Sequence, residues 1–483
     1  MSAIQKPIQH NGDSPVVDLK NIQGDIVVGF AKKFETFVFF RINKDQVASF
    51  RNQLRQLLPR ITSAKDSHKF RDDIKHSHDL LDNVAINIAF SQFGLKALGI
   101  NDNINDQPFT DGQQKSAADL GDRVDETWDS EFKENLDGVI IVAASRDALL
   151  KNALDEIKQR IFHVGQKTAG IEVVKELAGH VRPGKEEGHE HFGFNDGLTQ
   201  PFIKDVTPHP KTDGSPNIPA GAMLLGQDGD NDANATPIGR PGWAKDGSFL
   251  AFRYLQQLVP EFDDDLVKMS SDLGIQPKDP NTTAADLLGA RLVGRWKSGA
   301  PVDLTPDKDI PELAEADNNQ EFMFSLNSID SQDKCPYAAH IRKTNPRGDR
   351  PTEIHRILRR GIQFGPEVTD EETKNKTSST DPKLERGLLF ACYQSNLTNG
   401  FEFIQKSWVN AAKFPFPQSG IVPGVDPLIG AASAASPRSM LGADPADLNK
   451  SLTFPREWVI PKGGEYFFSP SISALKNTFA AKA

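Results

Sequence analysis

An aspartate occupies an unusual setting at residues 193–197, where the chain reads GFNDG and phenylalanines lie on both sides of the carboxylate. One interpretation is an ordinary tight turn, because Asn, Asp and Gly all tolerate positive φ angles. The other is chemical, because a carboxylate enclosed by apolar rings loses hydration, its pKa becomes adjustable and it can exchange protons. Asp196 is therefore a candidate general acid–base residue.

A histidine followed by basic residues is the second candidate. Residues 335–365 read CPYAAHIRKTNPRGDRPTEIHRILRRGIQFG and place His340 ahead of several arginines. A histidine among guanidinium groups indicates an anionic partner, and a haem would offer an iron atom to the imidazole and propionates to the arginines. A solvated, charged surface is the alternative interpretation. The basic residues are Arg342, Lys343, Arg347, Arg356, Arg359 and Arg360.

The HEH sequence at His189 and His191 offers two further metal-ligand candidates. Residues two apart on a strand face the same side, so both imidazoles could bind one ion. No third ligand lies nearby in the sequence, which weakens a zinc interpretation. A haem-free enzyme that combines this pair with Asp196 for metal-assisted hydrolysis is a distant alternative, and iron-porphyrin absorbance measured against zinc content distinguishes it.

The composition of the 483-residue chain excludes several classes of protein. A formal net charge of −10 and a pI near 5.6 argue against a nucleic-acid partner, which needs a clustered basic surface. No apolar run approaches the roughly 18 residues of a membrane-spanning helix. Cys335 and Cys392 are the only cysteines, so we predict no disulfide framework and no covalent c-type haem. The first 15 residues lack a signal sequence, which leaves a cytosolic protein or a processed, secreted one.

The elements that position these residues follow a regular order in the first 180 residues. Four apolar, β-rich runs are separated by stretches with helical spacing, and Ser145 is the predicted N-cap of the helix after the third run. The order is β-α-β, an insertion, then β-α-β, which is the split unit of ferredoxin-like folds. The four runs are residues 36–42, 83–90, 137–145 and 171–177.

A fainter copy of the same order follows residue 245. Residues 248–255 resemble the first run, residues 387–394 resemble the third, and Phe401, Ile404 and Trp408 share one helical face. We therefore predict an α+β protein with a duplicated ferredoxin-like fold and antiparallel sheets.

The predicted domain boundary lies in a stretch rich in Pro, Gly and Asp at residues 205–245. The N-terminal domain is expected to span residues 1–210 and to end shortly after the GFNDG motif. The C-terminal domain is expected to span residues 211–483.

Six segments in this order resemble the dye-decolourising peroxidases of the fungal type, over nearly the whole chain. They are NIQGDIVVGFAKKFETFVFF (21–40), NIAFSQFGLKALG (87–99), GFNDG (193–197), CPYAAHIRKTNPR (335–347), RRGIQFGPE (359–367) and GLLFACYQSN (387–396). The resemblance implies a duplicated ferredoxin-like fold of the dimeric α/β-barrel type. It also implies one haem b per chain, bound mainly by the C-terminal half.

The same resemblance assigns roles to residues of this chain. His340 matches the proximal iron ligand, which is also the metal ligand of the site, and Asp196 matches the distal acid–base residue. Arg359 matches the arginine that stabilises developing charge, and Arg347 matches a propionate-binding arginine. The remaining matches are Leu388 and Phe390, which wall the distal pocket, and Asp426, which would accept the second ring N–H of His340.

The implied reaction reduces hydrogen peroxide through an oxoferryl, porphyrin-radical intermediate and then oxidises dyes or phenolic compounds, with Mn(II) as a further candidate reductant. Trp408 matches a tryptophan proposed as a surface electron relay, although an aromatic anchor of its helix is an equal alternative. Many relatives carry a second relay, a tyrosine, where this chain has Phe364, so that relay is in doubt. A haem-binding or iron-release protein with incidental peroxidase activity is the alternative function, which slow turnover with peroxide and dye would reveal.

Overall fold

The computed structural model describes residues 17–77, 81–204, 206, 217–315, 322–324, 329–349, 352–416, 420–431 and 437–481. Their strands are β1 Phe34–Ile42, β2 Val84–Phe90, β3 Gly138–Ala144, β4 Ile171–His180, β5 Ser248–Gln257, β6 Leu358–Arg359, β7 Ile362–Phe364, β8 Gly387–Gln394, β9 Ser439–Met440, β10 Leu452–Thr453 and β11 Val459–Ser469. Among the described residues, no helix has the length and apolar composition that crossing a bilayer requires.

Helices follow the strands in both halves. They are α1 Gly24–Val27, α2 Val47–Leu57, α3 Ala64–Ser77, α4 Gln92–Ala97, α5 Gln107–Asp111, α6 Gln113–Leu120, α7 Val124–Thr127, α8 Asp147–Asp155, α9 Val259–Leu273, α10 Ala284–Val293, α11 His340–Thr344, α12 Asp370–Asn375, α13 Phe401–Phe403 and α14 Ile472–Ala474. Wider π-helical turns extend α8, α13 and α14, at Glu156–Ile161, Ile404–Val409 and Leu475–Phe479.

Nine strands form one antiparallel sheet in the order β4-β1-β3-β2-β11-β5-β8-β6, with β7 also paired to β8. The two halves of the chain meet where β2 pairs with β11 at Phe90 and Phe468. Gln23 reinforces this junction because its side-chain amide donates at 2.8 Å to the carbonyls of both Ile88 and Pro470. The duplicated, antiparallel α+β architecture predicted from the sequence is confirmed.

The outer strand β4 approaches β7, so the two ends of the sheet come together. Gly179 permits the approach, because a Cβ atom at this position would lie only 2.7 Å from the carbonyl oxygen of Gln363. Side chains alternate between two cores, as the period of a strand requires. The inner core holds Phe39, Phe252 and Leu389, whereas the outer core packs other strand residues under the helices.

The predicted elements agree with the structure except at one helix cap. Strands β1 to β4, β5 and β8 lie where they were predicted. Ser145 does not cap α8, which begins at Asp147 after Arg146, because its hydroxyl instead accepts from the backbone N–H of Asn83 at 3.0 Å. The domain boundary at residues 210 and 211 falls outside the described residues and stays a prediction.

Candidate active site

Asp196 is held in a tight turn, so the turn interpretation of the sequence is confirmed. Gly193 and Gly197 adopt φ angles of 88° and 75°, which glycine tolerates better than other residues. The N–H of Asp196 donates to the carbonyl of Gly188 at 2.9 Å. The carboxylate therefore leaves the turn in a fixed direction.

Arg359 meets that carboxylate from the other half of the chain. Its Nη1 donates to Oδ1 of Asp196 at 2.7 Å. Gln200 clamps the arginine backbone in both directions, accepting from its N–H at 3.0 Å and donating to its carbonyl at 2.9 Å. Hydrogen bonds to Gln200 therefore hold the backbone of the ion-paired arginine in place.

The protonation of Asp196 depends on two opposing effects. Burial raises the pKa of this carboxyl, whereas the Arg359 guanidinium and the N–H of Gly197 lower it. The charge effects prevail and hold the pKa of Asp196 below its usual value of 3.8. The residue is therefore an ionised base near neutral pH.

His340 is oriented by Asp426. Its Nδ1 lies 2.8 Å from Oδ2 of Asp426, and the other carboxylate oxygen accepts from the backbone N–H groups of Leu428 and Ile429 at 2.8 and 3.0 Å. Burial lowers the pKa of His340, but the Asp426 carboxylate raises it further, so the net shift is upward. None of the described residues hydrogen-bonds Nε2, so this nitrogen is available to a ligand.

These groups lie close enough to influence one another. The charges of Arg359 and Asp196 both act on the pKa of His340, and His340 acts on Asp196 in return. Their side chains remain partly accessible, at 26% for His340, 32% for Asp196 and 33% for Arg359. They therefore border accessible space rather than packed core.

Positive charge accumulates beside this space. Arg347 lies 3.9 Å above the ring of Phe322, and Arg295 contacts the same ring at 5.6 Å. Burial, together with the charges of Arg347 and Arg359, lowers the pKa of Arg295 to about 9. Three guanidinium groups within mutual influence favour a doubly charged anion. Our sequence predictions missed Arg295.

Apolar side chains form a wall beside Arg359. In the antiparallel register, Arg359 pairs with Cys392, so its side chain shares a face of the sheet with Leu388 and Phe390. Leu388 and Phe390 are the two half-buried residues of β8. A small pocket adjoins this wall and is lined in part by Phe390, Phe401, Leu428 and Ile429.

The residues present fit a haem. One imidazole nitrogen is available to iron, guanidinium groups suit propionates, and apolar side chains suit a flat macrocycle. His340, Asp426 and most of the surrounding residues come from the C-terminal half, whereas Asp196 comes from the N-terminal half.

The HEH candidate site from the sequence has another role. His191 donates from Nε2 to the carbonyl of Phe364 at 2.8 Å, and burial lowers its pKa to about 4. The described residues contain no group of three or more His, Cys, Asp or Glu that could hold a metal ion, so the HEH zinc interpretation has no support there. The Mn(II) prediction remains a prediction.

Trp408 is buried, which contradicts the prediction of a surface ring. Its relative exposure is 4%, and it contacts the rings of His355, Phe403 and Phe414 at 5.1 to 5.5 Å. The ring anchors its helix, as the alternative interpretation of the sequence had it. Any relay through Trp408 must continue through these neighbours.

Comparisons with known proteins cover almost the whole chain. Residues 21–183 match the family model of the DyP dimeric alpha+beta barrel domain, and residues 225–414 match that of the Dyp-type peroxidase C-terminal domain. The dye-decolorizing peroxidase msp1 of Mycetinis scorodonius is 41% identical, with 96% of this chain and 88% of that protein covered. The dye-decolorizing peroxidase AauDyP1 of Auricularia auricula-judae is 40% identical, with 95% and 87% covered.

Solved structures of similar fold belong to the same class of protein as these relatives. An ancestral D-type dye-decolorizing peroxidase superposes with a TM-score of 0.88 at 49% identity, covering 96% of this chain and all of the other. A duplicated barrel that carries such a histidine and such an ionised aspartate is a haem peroxidase. Within that class, the chain belongs to the dye-decolourising peroxidase family.

Proposed function

We propose that this peroxidase reduces hydrogen peroxide at a haem bound between His340 and the pair formed by Asp196 and Arg359. The observation that carries the proposal is the 2.7 Å ion pair, which keeps a partly accessible carboxylate ionised beside the place where the peroxide would bind. Bound haem supplies an iron atom and the redox chemistry that amino-acid side chains lack.

Asp196 transfers the proton in this reaction, and Arg359 assists it. The Asp196 carboxylate accepts a proton from one oxygen of hydrogen peroxide and returns it to the other oxygen, which leaves as water. Arg359 stabilises the negative charge that develops on the departing oxygen. Gln200 keeps the guanidinium in position because it binds the arginine backbone on both sides.

The proximal residues hold the cofactor. His340 presents Nε2 to the iron, and Asp426 fixes the ring because it accepts the hydrogen bond from Nδ1. Arg347 and Arg295 would bind the propionates, and Leu388 and Phe390 would restrict the space beside the peroxide.

The reductants follow from the relatives. Msp1 is a dye-decolorizing peroxidase, and a related structure is a complex with 2,6-dimethoxyphenol. Dyes and phenolic compounds are therefore the proposed electron donors of this chain. Bulky dyes would be oxidised through a protein residue such as Trp408, and Mn(II) is a further candidate donor.

Asp196→Asn tests the proposal. The substitution keeps the shape of the side chain and removes the base, so haem content should persist while the rate constant for the reaction with peroxide falls by about 10² to 10⁴. Asp125→Asn, on the exposed helix α7, is the matched control and should react at the natural rate. Full peroxide reactivity in Asp196→Asn would overturn the assignment.

The same preparations separate a peroxidase from a haem-handling protein. Steady-state oxidation of a dye over many turnovers supports the peroxidase. A protein that takes up haem, reacts slowly and bleaches within a few turnovers would support the alternative.

A further inference from the structure

Tyr466 lies on the same face of the sheet as the active site. In the register of the sheet, Arg359 pairs with Cys392, Cys392 pairs with Ala251, and Ala251 pairs with Tyr466. Directly paired residues in antiparallel strands point to the same side. Neighbouring strands are about 4.8 Å apart, so about 14 Å separates the Cα atoms at the two ends of this row.

Aromatic rings connect the active-site wall to this tyrosine. The ring centroid of Phe390 lies 6.1 Å from that of Phe401, and the centroid of Phe401 lies 6.2 Å from that of Tyr466. Phe390 belongs to the wall beside Arg359, whereas Tyr466 is fully buried. Electron tunnelling weakens steeply with distance, so a path made of contacting rings favours transfer between the two ends.

A proton acceptor stands at the phenol. The hydroxyl of Tyr466 donates to Oε1 of Glu402 at 2.9 Å, and the other oxygen of Glu402 accepts from Lys406 at 2.7 Å. The side chain of Glu402 is 6% exposed and that of Lys406 is 29% exposed. The hydrogen-bonded chain therefore leads from a buried phenol to the surface.

The reduced phenol is neutral in this setting. Burial and the neighbouring Glu402 carboxylate raise the pKa of Tyr466 well above its usual value. A phenol that loses one electron becomes a strong acid, so its oxidation is favourable where a carboxylate is already hydrogen-bonded to it. The hydrogen-bonded pair of Tyr466 and Glu402 lies on the face of the sheet that carries the active site.

We propose that Tyr466 is a redox-active residue of this peroxidase. After peroxide has oxidised the active site, one electron passes from Tyr466 through Phe401 and Phe390 and reduces the active site by one equivalent. The O–H bond of the phenol breaks, an O–H bond forms on Glu402, and a phenoxyl radical remains. This step rests on the proposed function, because peroxide is its oxidant.

Tyr254 provides a matched control. It also donates to a carboxylate, Glu385, at 2.5 Å, and it is 7% exposed. Its ring lies in the inner core, on the opposite face of the sheet, where it contacts Phe364 at 5.2 Å. The chain has four tyrosines, so each single substitution leaves three.

Electron paramagnetic resonance after freeze-quenching provides the test. Haem-loaded protein is mixed with one equivalent of hydrogen peroxide and frozen within milliseconds. We expect a tyrosyl radical in the natural protein and in Tyr254→Phe, with an intensity at least about ten-fold lower in Tyr466→Phe. The largest g value should be reduced, because protonated Glu402 donates a hydrogen bond to the phenoxyl oxygen.

Glu402→Gln is the second variant, which keeps a hydrogen-bond acceptor but removes the proton acceptor. It should form the radical more slowly at an unchanged rate of the peroxide reaction. A radical that survives in Tyr466→Phe, disappears in Tyr254→Phe, or is absent from the natural protein would overturn the inference. If Tyr466→Phe does not fold, the rate of radical formation in Glu402→Gln decides, and an unchanged rate would also overturn the inference. The haem absorbance after addition of peroxide separates this inference from the proposed function. If the absorbance does not change, the proposed function fails as well. If it changes but no Tyr466 radical forms, only this inference fails.

Discussion

Arg359 and Asp196 form an ion pair at 2.7 Å although 163 positions separate them in the chain. The aspartate follows the fourth strand of the N-terminal half, whereas the arginine ends a two-residue strand of the C-terminal half. The base and the cation that keeps it ionised are therefore brought together only when the two halves have docked.

In Arg359→Leu, the rate constant for the reaction with peroxide should begin to fall at a higher pH than in the natural protein. Burial raises the pKa of Asp196, but Arg359 and the N–H of Gly197 hold it below 3.8, so the natural protein keeps its base down to below that pH. Without the guanidinium, burial raises the pKa of Asp196, so the carboxylate becomes protonated at a higher pH. Stopped-flow rate constants measured from pH 3 to pH 8 test this. Arg456→Leu is the control, because Arg456 is half exposed and pairs with Asp265 instead. A fall that begins at the same pH in Arg359→Leu as in the natural protein would contradict the ion-pair argument.

Asp426→Asn should weaken the retention of haem. The carboxylate holds the ring of His340 through a 2.8 Å contact at Nδ1, and loss of such an outer partner typically costs about 10-fold to 100-fold in affinity. Transfer of haem to an excess of apomyoglobin measures the dissociation rate. Asp279→Asn, an exposed carboxylate that accepts from the N–H of Asn281, should behave as the natural protein does. Equal dissociation rates for both variants would exclude the orienting role.

Trp408→Phe should lower the turnover of bulky dyes and spare that of small phenols. Phenylalanine keeps most of the packing against Phe403 and Phe414 but is much harder to oxidise. Steady-state kinetics with one bulky dye and one small phenol provide the comparison, and the rate of the peroxide reaction should not change. Equal loss for both substrates, or none for either, would exclude a relay through this buried ring.

Glu372→Gln should destabilise the protein near neutral pH and much less in acid. Burial raises the pKa of this carboxyl, but hydrogen bonds from Arg386, Thr369 and Ser379 lower it further, to about 2. The folded pKa is depressed, so the stabilisation is complete above about pH 4.5 and is lost as pH falls towards 2. A loss on the order of 3 kcal/mol is expected at pH 7.

Denaturant titrations at pH 7 and pH 3 measure the difference in the free energy of unfolding. Asp147→Asn removes the exposed ion pair with Lys151 and should cost less than about 1 kcal/mol at both values. If Glu372→Gln lowered the free energy of unfolding as much at pH 3 as at pH 7, the charge of Glu372 would not be the source of its stabilisation.

Period-two alternation and helical spacing were sufficient to predict the duplication and six of the eleven described strands. Motif residues such as His340 were also predictable, because they stand in local sequence patterns. Gln200 and Arg295 had no such signal: Gln200 acts on Arg359 across 159 positions, and Arg295 lies on a loop where its role depends on Phe322. The burial of Trp408 was equally invisible, because helical spacing shows which residues share a face but not what covers that face.

The junction between β2 and β11 has a consequence for synthesis on the ribosome. Phe90 emerges early, but its partner Phe468 is translated almost at the end of the chain. At about 5 to 20 residues per second, the edge of β2 waits roughly 20 to 80 s for its neighbour. During this interval the edge of β2 lacks its neighbour, and an unpaired strand edge favours aggregation.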